Sequence, residues 1–238
     1  MNMNDYTTTF GNSAADALPE HRAQFIRKTY LLLAAAIAAF IGVEVILFST
    51  PAAGMIATVI FSGGSMGWLL VLALFMGISF LANRWAVSEV SNLTQYLGLG
   101  IFILAEAVIF VPLLFIAAYY ATDPFVILKA GVTSIGLFLG ITATVFLTRS
   151  DFSFLGPILA IGGFAALGFI LSSAIFGFTL GSIFAFVMVA FAGSAILYET
   201  SNVLRRYNTN QHVAASLALF ASVALLFWYI LSIFSSRD

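Results

Sequence analysis

The chain has no cysteine, two histidines, and charge on only 8% of its 238 residues. Without cysteine there is no disulfide, no thiol nucleophile and no thiolate metal site. The histidines, His21 and His212, lie far apart in polar segments. No H-E-x-x-H helix can form, so a membrane metalloprotease has no ligands. Aspartate is missing from every long apolar run, which removes the paired acids of an intramembrane aspartyl protease. "GGSMG", residues 63–67, matches G-x-S-x-G literally. It opens an apolar run instead of a strand–turn–helix elbow and has no histidine base near it in sequence. Glycine-rich phosphate loops and bis-histidine haem patterns are also missing. The chain is therefore expected not to be an enzyme and to need no cofactor. No basic block interleaved with aromatics points to nucleic acid.

What is present is apolar surface. Hydrophobic residues make up 62% of the chain, and the mean hydropathy is +1.08. A soluble domain carries about 45–50% apolar and about 25% charged residues. One globule cannot hide this much apolar surface from water, so lipid is the expected solvent. Apolar stretches recur at residues 29–48, 64–82, 93–119, 125–147, 154–176, 180–198 and 213–234. Each is near the roughly 20 residues a helix needs to cross hydrocarbon. The first is longer than the apolar core of a signal peptide, about 7–15 residues, and reads as a retained span. This predicts an all-α integral membrane protein, with residues 1–28 a polar, mobile tail, helical towards Arg27, and residues 29–238 a seven-helix transmembrane domain. Pro51 and Pro124 sit at breaks, Pro112 is positioned to kink the third span, and Pro157 falls in the first turn of the fifth.

Charge fixes the orientation. With the N-terminus in the cytoplasm, Arg22, Arg27, Lys28, Arg84, Arg149, Arg205 and Arg206 all fall inside, and only Lys129 and Arg237 fall outside. This positive-inside asymmetry supports an odd number of crossings; an even number would make the last segment re-entrant. Small residues recur at four-residue spacing in Gly63/Gly67, Gly136/Gly140, Gly177/Gly181 and Ala190/Ser194. Such pairs suit close helix contact, within the bundle or between copies.

The few ionisable groups at membrane depth are the candidate functional residues. Glu106 falls near the middle of the third span, beside a polar pathway or in a hydrogen-bonded helix contact. Glu44 is late in the first span, suited to a wet cavity or interface. Lys129, one turn into the fourth, can snorkel to the headgroups. Glu199, in "AILYETSNVLRRY" (residues 195–207), is the most informative. A continuous helix would set it roughly 9 Å inward of Arg205, near a helix C-terminus where the macrodipole disfavours negative charge. Scarce water and that dipole make its ionisation conditional on its neighbours. It reads either as a pH-responsive gate or as an interfacial cap paired with Arg205 or Arg206. Asp151, in "SDFS" before the fifth helix, reads as a helix cap for N–H groups two or three residues on.

These residues resemble a known family. "GSAILYETSNVLRR" is similar to the Tyr/Phe–Asp/Glu–Thr signature ending the sixth helix of the Bax inhibitor/YccA family. "RKTYLLLA", "TRSDFSFLGPIL" and the ending "SSRD" resemble YccA-like members. The resemblance runs from about residue 22 to the end. It implies a seven-helix bundle with the last helix central, in a bacterial inner membrane. It also implies a pH-sensitive calcium leak channel, in which acids on the sixth and seventh helices share a proton and hold the pore shut. Glu199 matches the first acid, whereas the second position falls at about Phe220. A latch would then be rebuilt from Asp151 or Glu106, or be missing. For YccA-like members, which also lack the second acid, the resemblance implies a role in restraining the membrane-anchored AAA protease FtsH and its scaffold, engaged through the polar tail. Two expectations follow: a calcium-permeable leak channel gated at Glu199, or a non-conducting protease modulator. Permeating Ca2+ would be the one ion involved.

Overall fold

The computed structural model describes residues 13–88 and 91–236. Arg237, counted above on the outer side, lies outside the described residues. Eight helices follow in chain order: α1 (Pro19–Phe48), α2 (Ala52–Ser62), α3 (Gly64–Ala86), α4 (Asn92–Tyr119), α5 (Val126–Thr148), α6 (Leu155–Phe176), α7 (Gly181–Arg205) and α8 (His212–Ser235). All but α2 are long and apolar enough to span a membrane. The molecule is an all-α integral membrane protein, as the composition requires: in hydrocarbon only helices or closed barrels satisfy their own backbone. The last segment is a helix of 24 residues, long enough to cross, so the re-entrant alternative falls.

The last helix is the axis. α8 packs against α1, α3, α4, α5 and α7 and buries residues on every side, Leu217, Leu219, Leu226 and Leu231 among them. A helix apolar all round belongs in the centre of a bundle. α6 is the opposite case, with Ala166 its one buried residue; it reaches the bundle through α3 and α7. Phe220 ties the axis to its neighbours, meeting Phe40 of α1 at 6.1 Å and Phe102 of α4 at 6.0 Å, both edge-to-face. Such pairs contribute about 0.5–1.5 kcal/mol each beyond area burial.

Several expectations need correction. The connection after the first span is not a simple break, because it folds into α2, whose Ala53 and Ala57 pack on Val111 of α4. The tail is helical from Pro19, and residues 13–28 are docked, not loose: Ala14 is fully buried and its N–H donates to the Tyr207 carbonyl at 2.8 Å. Of the glycine pairs, Gly63/Gly67 makes a close contact between helices, a Cβ on Gly67 of α3 coming within 3.2 Å of the Ile60 carbonyl oxygen of α2. Gly63 and Gly67 lie against each other at the α2–α3 turn, and Gly136 and Gly140 face open space. The tight approach is at Gly98, where a Cβ would come within 2.7 Å of the Ala82 carbonyl oxygen. There α3 presents Ala82 and Ala86, both essentially buried, so small residues at four-residue spacing do bring two helices together.

Candidate functional site

The chain alternates direction, so the C-terminal ends of α3, α5 and α7 and the N-terminal ends of α1, α4, α6 and α8 share one end of the bundle. Arg22, Arg27, Lys28, Arg84, Arg149, Arg205 and Arg206 cluster there. At this basic end α7 stops at Arg205, and its last carbonyls need partners. Arg22 of α1 supplies one, its Nη2 donating to the Leu204 carbonyl at 3.2 Å; a cation at a helix C-terminus also meets the favourable end of the macrodipole.

Glu199 sits inside this end, half-buried. Asn202 Nδ2 donates to its Oε2 at 3.4 Å and Tyr207 Oη donates to the same oxygen at 3.2 Å. Asn202 is three residues on, hence on the same helix face. Tyr207 returns from beyond the helix end. Burial first, then the adjacent Glu199 carboxylate, push the Tyr207 phenol above its ordinary range, so it keeps its proton and remains a donor. The pairing of Glu199 with Arg205 or Arg206 does not occur. Arg205 Nη2 instead donates to the Arg149 carbonyl across the α5–α6 turn, and the one ion pair among the described residues is Lys129–Asp123 at the opposite end. Tyr30 of α1 lies near Thr142 of α5 and Thr200 of α7. Polar groups from three helices thus meet there, and Thr200 follows Glu199 in the sequence.

The segment before α6 docks on the same end. Phe152 N–H donates to Ser201 Oγ at 3.1 Å. Asp151 Oδ1 accepts the Ser153 N–H at 2.9 Å, and that bond, with Ser153's side chain and then Arg205 and Arg206, holds the Asp151 carboxyl below the usual range. It does not cap α6: the helix starts at Leu155, and Phe154 occupies the cap position without a side-chain bond. Asp151 is exposed and forms no hydrogen bond with Glu199. Phe220, where the second family acid was expected, is buried among aromatic rings.

The other acids lie elsewhere. Glu44, four residues before the end of α1, is buried with both carboxylate oxygens unpartnered. Glu106 is 7% exposed and lines a cleft of about 1150 Å³ between α3 and the α6–α7 pair, floored by α4 and α8. The cleft runs from the α6–α7 turn towards Asn83 and does not include Glu199. The structure thus separates the predicted residues into three places: Glu199 with Arg205, Arg206 and Asp151 at the basic end, Glu106 at mid-depth, and Glu44 towards the opposite end of α1. Sequence reasoning missed Tyr207, Asn202 and Arg22. The i+3 spacing of Asn202 was a readable signal, but the other two come from separate elements.

A family model described as "Inhibitor of apoptosis-promoting Bax1" matches residues 22–238. The chain is 31% identical over 231 residues to Protein LIFEGUARD 4 of Arabidopsis thaliana, covering 92% of this chain and 87% of that protein. It is 30% identical over 175 residues to Uncharacterized protein PA2604 of Pseudomonas aeruginosa, covering 69% and 72%. With Bax inhibitor 1 of Schizosaccharomyces pombe it shares 34% identity over 115 residues, 45% of this chain and 41% of that one. No solved structure matches. With its seven apolar helices and a family match over nearly its whole length, the chain belongs to the Bax inhibitor family of multi-pass membrane proteins.

Proposed function

We propose that the chain is a cation leak pathway, with calcium its permeant ion, whose closure depends on the protonation state of Glu199, in a bacterial inner membrane with the N-terminus cytoplasmic. The observation that carries this reading is the bonding of Glu199. Its carboxylate is held at the α7–α8 junction by two neutral donors, Tyr207 and Asn202, with no cation paired to it among the described residues. An anion accepts strongly from both donors; a protonated carboxyl accepts less well. Taking up a proton therefore loosens the link between the end of α7 and the turn into α8. The cleft reaching Glu106 supplies open volume to mid-depth, and the Phe40, Phe102 and Phe220 rings pack helices α1, α4 and α8 together. Family membership supports the reading at the level of fold and signature.

Reconstitution into liposomes loaded with a calcium indicator tests it. The wild type should leak in a pH-dependent manner and Glu199→Gln should flatten that dependence. Flux equal to that of empty vesicles at every pH removes the reading.

One observation favours a second role, modulation of the membrane protease FtsH without conduction. Residues 13–28 are clamped to the basic end by the Ser13–Asn208 bridge, the Ala14–Tyr207 bond and the Arg22–Leu204 bond. A partner that draws this segment away would release Tyr207, the donor to Glu199. Recovery of the protease from native membranes by the full chain, and its loss on deleting residues 1–28, is the expected result; recovery of no protease by the full chain would remove this role.

A further inference from the structure

The structure assigns to the cleft between α3 and the α6–α7 pair a binding site for a lipophilic organic cation, an ammonium on an aromatic or aliphatic body, with Glu106 as its counter-charge. Glu106 stands 14 residues from the start of α4 and 13 from its end, about 20 Å from either. It is more than nine-tenths buried, lines the cleft, and makes no hydrogen bond with any described residue. Phe102 and Phe110 lie one turn below and one turn above it on the same face of α4, and both line the cleft. Their rings are fixed by neighbours: Phe102 against Phe75 at 6.1 Å, Phe110 edge-on to Trp228 at 5.0 Å, and Trp228 stacked on Trp68 at 6.0 Å. A carboxylate in a cleft that also presents the partly exposed rings of Trp68, Phe75 and Trp228 offers an ammonium group charge on one side and ring quadrupoles on the others.

Three features narrow the ligand. No group of three His, Cys, Asp or Glu is assembled among the described residues, so one carboxylate cannot replace the shell of a divalent ion; a diffuse organic charge needs no such shell. A phospholipid is disfavoured because its phosphate would be placed beside a carboxylate, and because its headgroup belongs at the membrane surface, not at the depth of Glu106. The volume, about 1150 Å³, admits a molecule of ordinary drug size. α6 buries a single residue, so the wall it forms leaves lateral access from the lipid. This assignment does not rest on conduction and holds for a chain that carries no ion.

The test uses the full chain in detergent and a matched pair of probes, 4-phenylbutylamine and 4-phenylbutanol. Two of the three tryptophans, Trp68 and Trp228, line the cleft, so their fluorescence reports occupancy. The amine should bind saturably and at least about tenfold more tightly than the alcohol. Glu106→Gln should erase that preference while leaving the alcohol unchanged, and Ala166→Phe, which fills the cleft wall, should weaken both. Equal affinity for amine and alcohol in the wild type, or amine binding indifferent to Glu106→Gln, overturns the assignment and leaves the cleft a groove for lipid chains. The wild-type comparison decides even where a variant does not fold.

Discussion

Glu199 and Glu106 are both carboxylates set into apolar helices, and their surroundings differ in kind. Glu199 lies where chain segments converge: α7 ends there, α8 begins, residues 13–28 dock, and the α5–α6 turn is tied down by Arg205 and Ser201. Its two donors are close in sequence, so the carboxylate is held by what the α7 end can offer. Glu106 lies beside the cleft left by the thinly packed α6, with no hydrogen bond to any described residue. A buried charge without a partner is costly. Glu199 has two donors at its own helix end, whereas Glu106 at mid-depth makes no hydrogen bond with any described residue. The first arrangement suits a switch, the second a receptor for something that brings its own charge.

The widest difference should be in tolerance to added volume. Gly98 is at the basic end, and a Cβ there meets the Ala82 oxygen at 2.7 Å and the Ala86 nitrogen at 3.0 Å. Gly98→Val must part α3 from α4 and should cost about 3 kcal/mol, seen as a large drop in the thermal unfolding midpoint in detergent. Ala174→Val, at a partly exposed position lining the cleft, should stay within about 0.5 kcal/mol of wild type. Equal losses would mean that the cleft is as closely packed as the basic end.

Next in size is the removal of each carboxylate. Glu106→Leu deletes an unpartnered buried acid and should raise stability by about 1–3 kcal/mol. Glu199→Leu strands Asn202 and Tyr207 and should lower it. If both substitutions move the midpoint the same way, the contrast between a partnered and an unpartnered acid is wrong.

Much of this architecture was legible in the residues, because lipid leaves few choices: apolar runs of spanning length must be helices, and arginines sort to one side. Glu199 stood out because it interrupts such a run beside two arginines. Its surroundings did not, since Tyr207 reaches back from beyond the helix end and Arg22, donor to the Leu204 carbonyl, arrives from α1, and no periodicity encodes contact between separate elements. α2 was missed because its 11 residues are too few to span, and the apolar break simply continued the pattern. The cleft has no linear signature at all. Phe102, Glu106 and Phe110 share a face of α4, but only the third dimension shows that the helices opposite them are withdrawn.

A smaller effect is expected from Tyr207→Phe. It removes one donor to Glu199 and leaves Asn202, which should cost about 1 kcal/mol. It should also quicken proteolysis in the α7–α8 turn, where Tyr207 anchors residues 13–28 through its carbonyl. Unchanged proteolysis would show that the backbone bond alone holds the turn.

The smallest effect concerns Asp151, the acid nearest in sequence to a role as Glu199's missing partner. Its carboxyl is held low chiefly by the Ser153 N–H, then by Ser153's side chain, with Arg205 and Arg206 contributing last. A depressed carboxylate contributes stability that is fully present above the unfolded value, about 3.9, and lost only as pH falls through the lower folded value. Between about pH 5 and 8 Asp151 therefore stays ionised and cannot report a proton. Asp151→Asn keeps an Oδ1 to accept the Ser153 N–H, so it should leave the thermal midpoint at neutral pH nearly unchanged and remove only a part of the loss seen in strong acid. In liposomes the same variant should leave the pH profile of calcium flux where it was, whereas Glu199→Gln should flatten it. A profile displaced by Asp151→Asn would make Asp151 the second acid of a shared site, and Glu199 would no longer be a switch served by neutral donors alone.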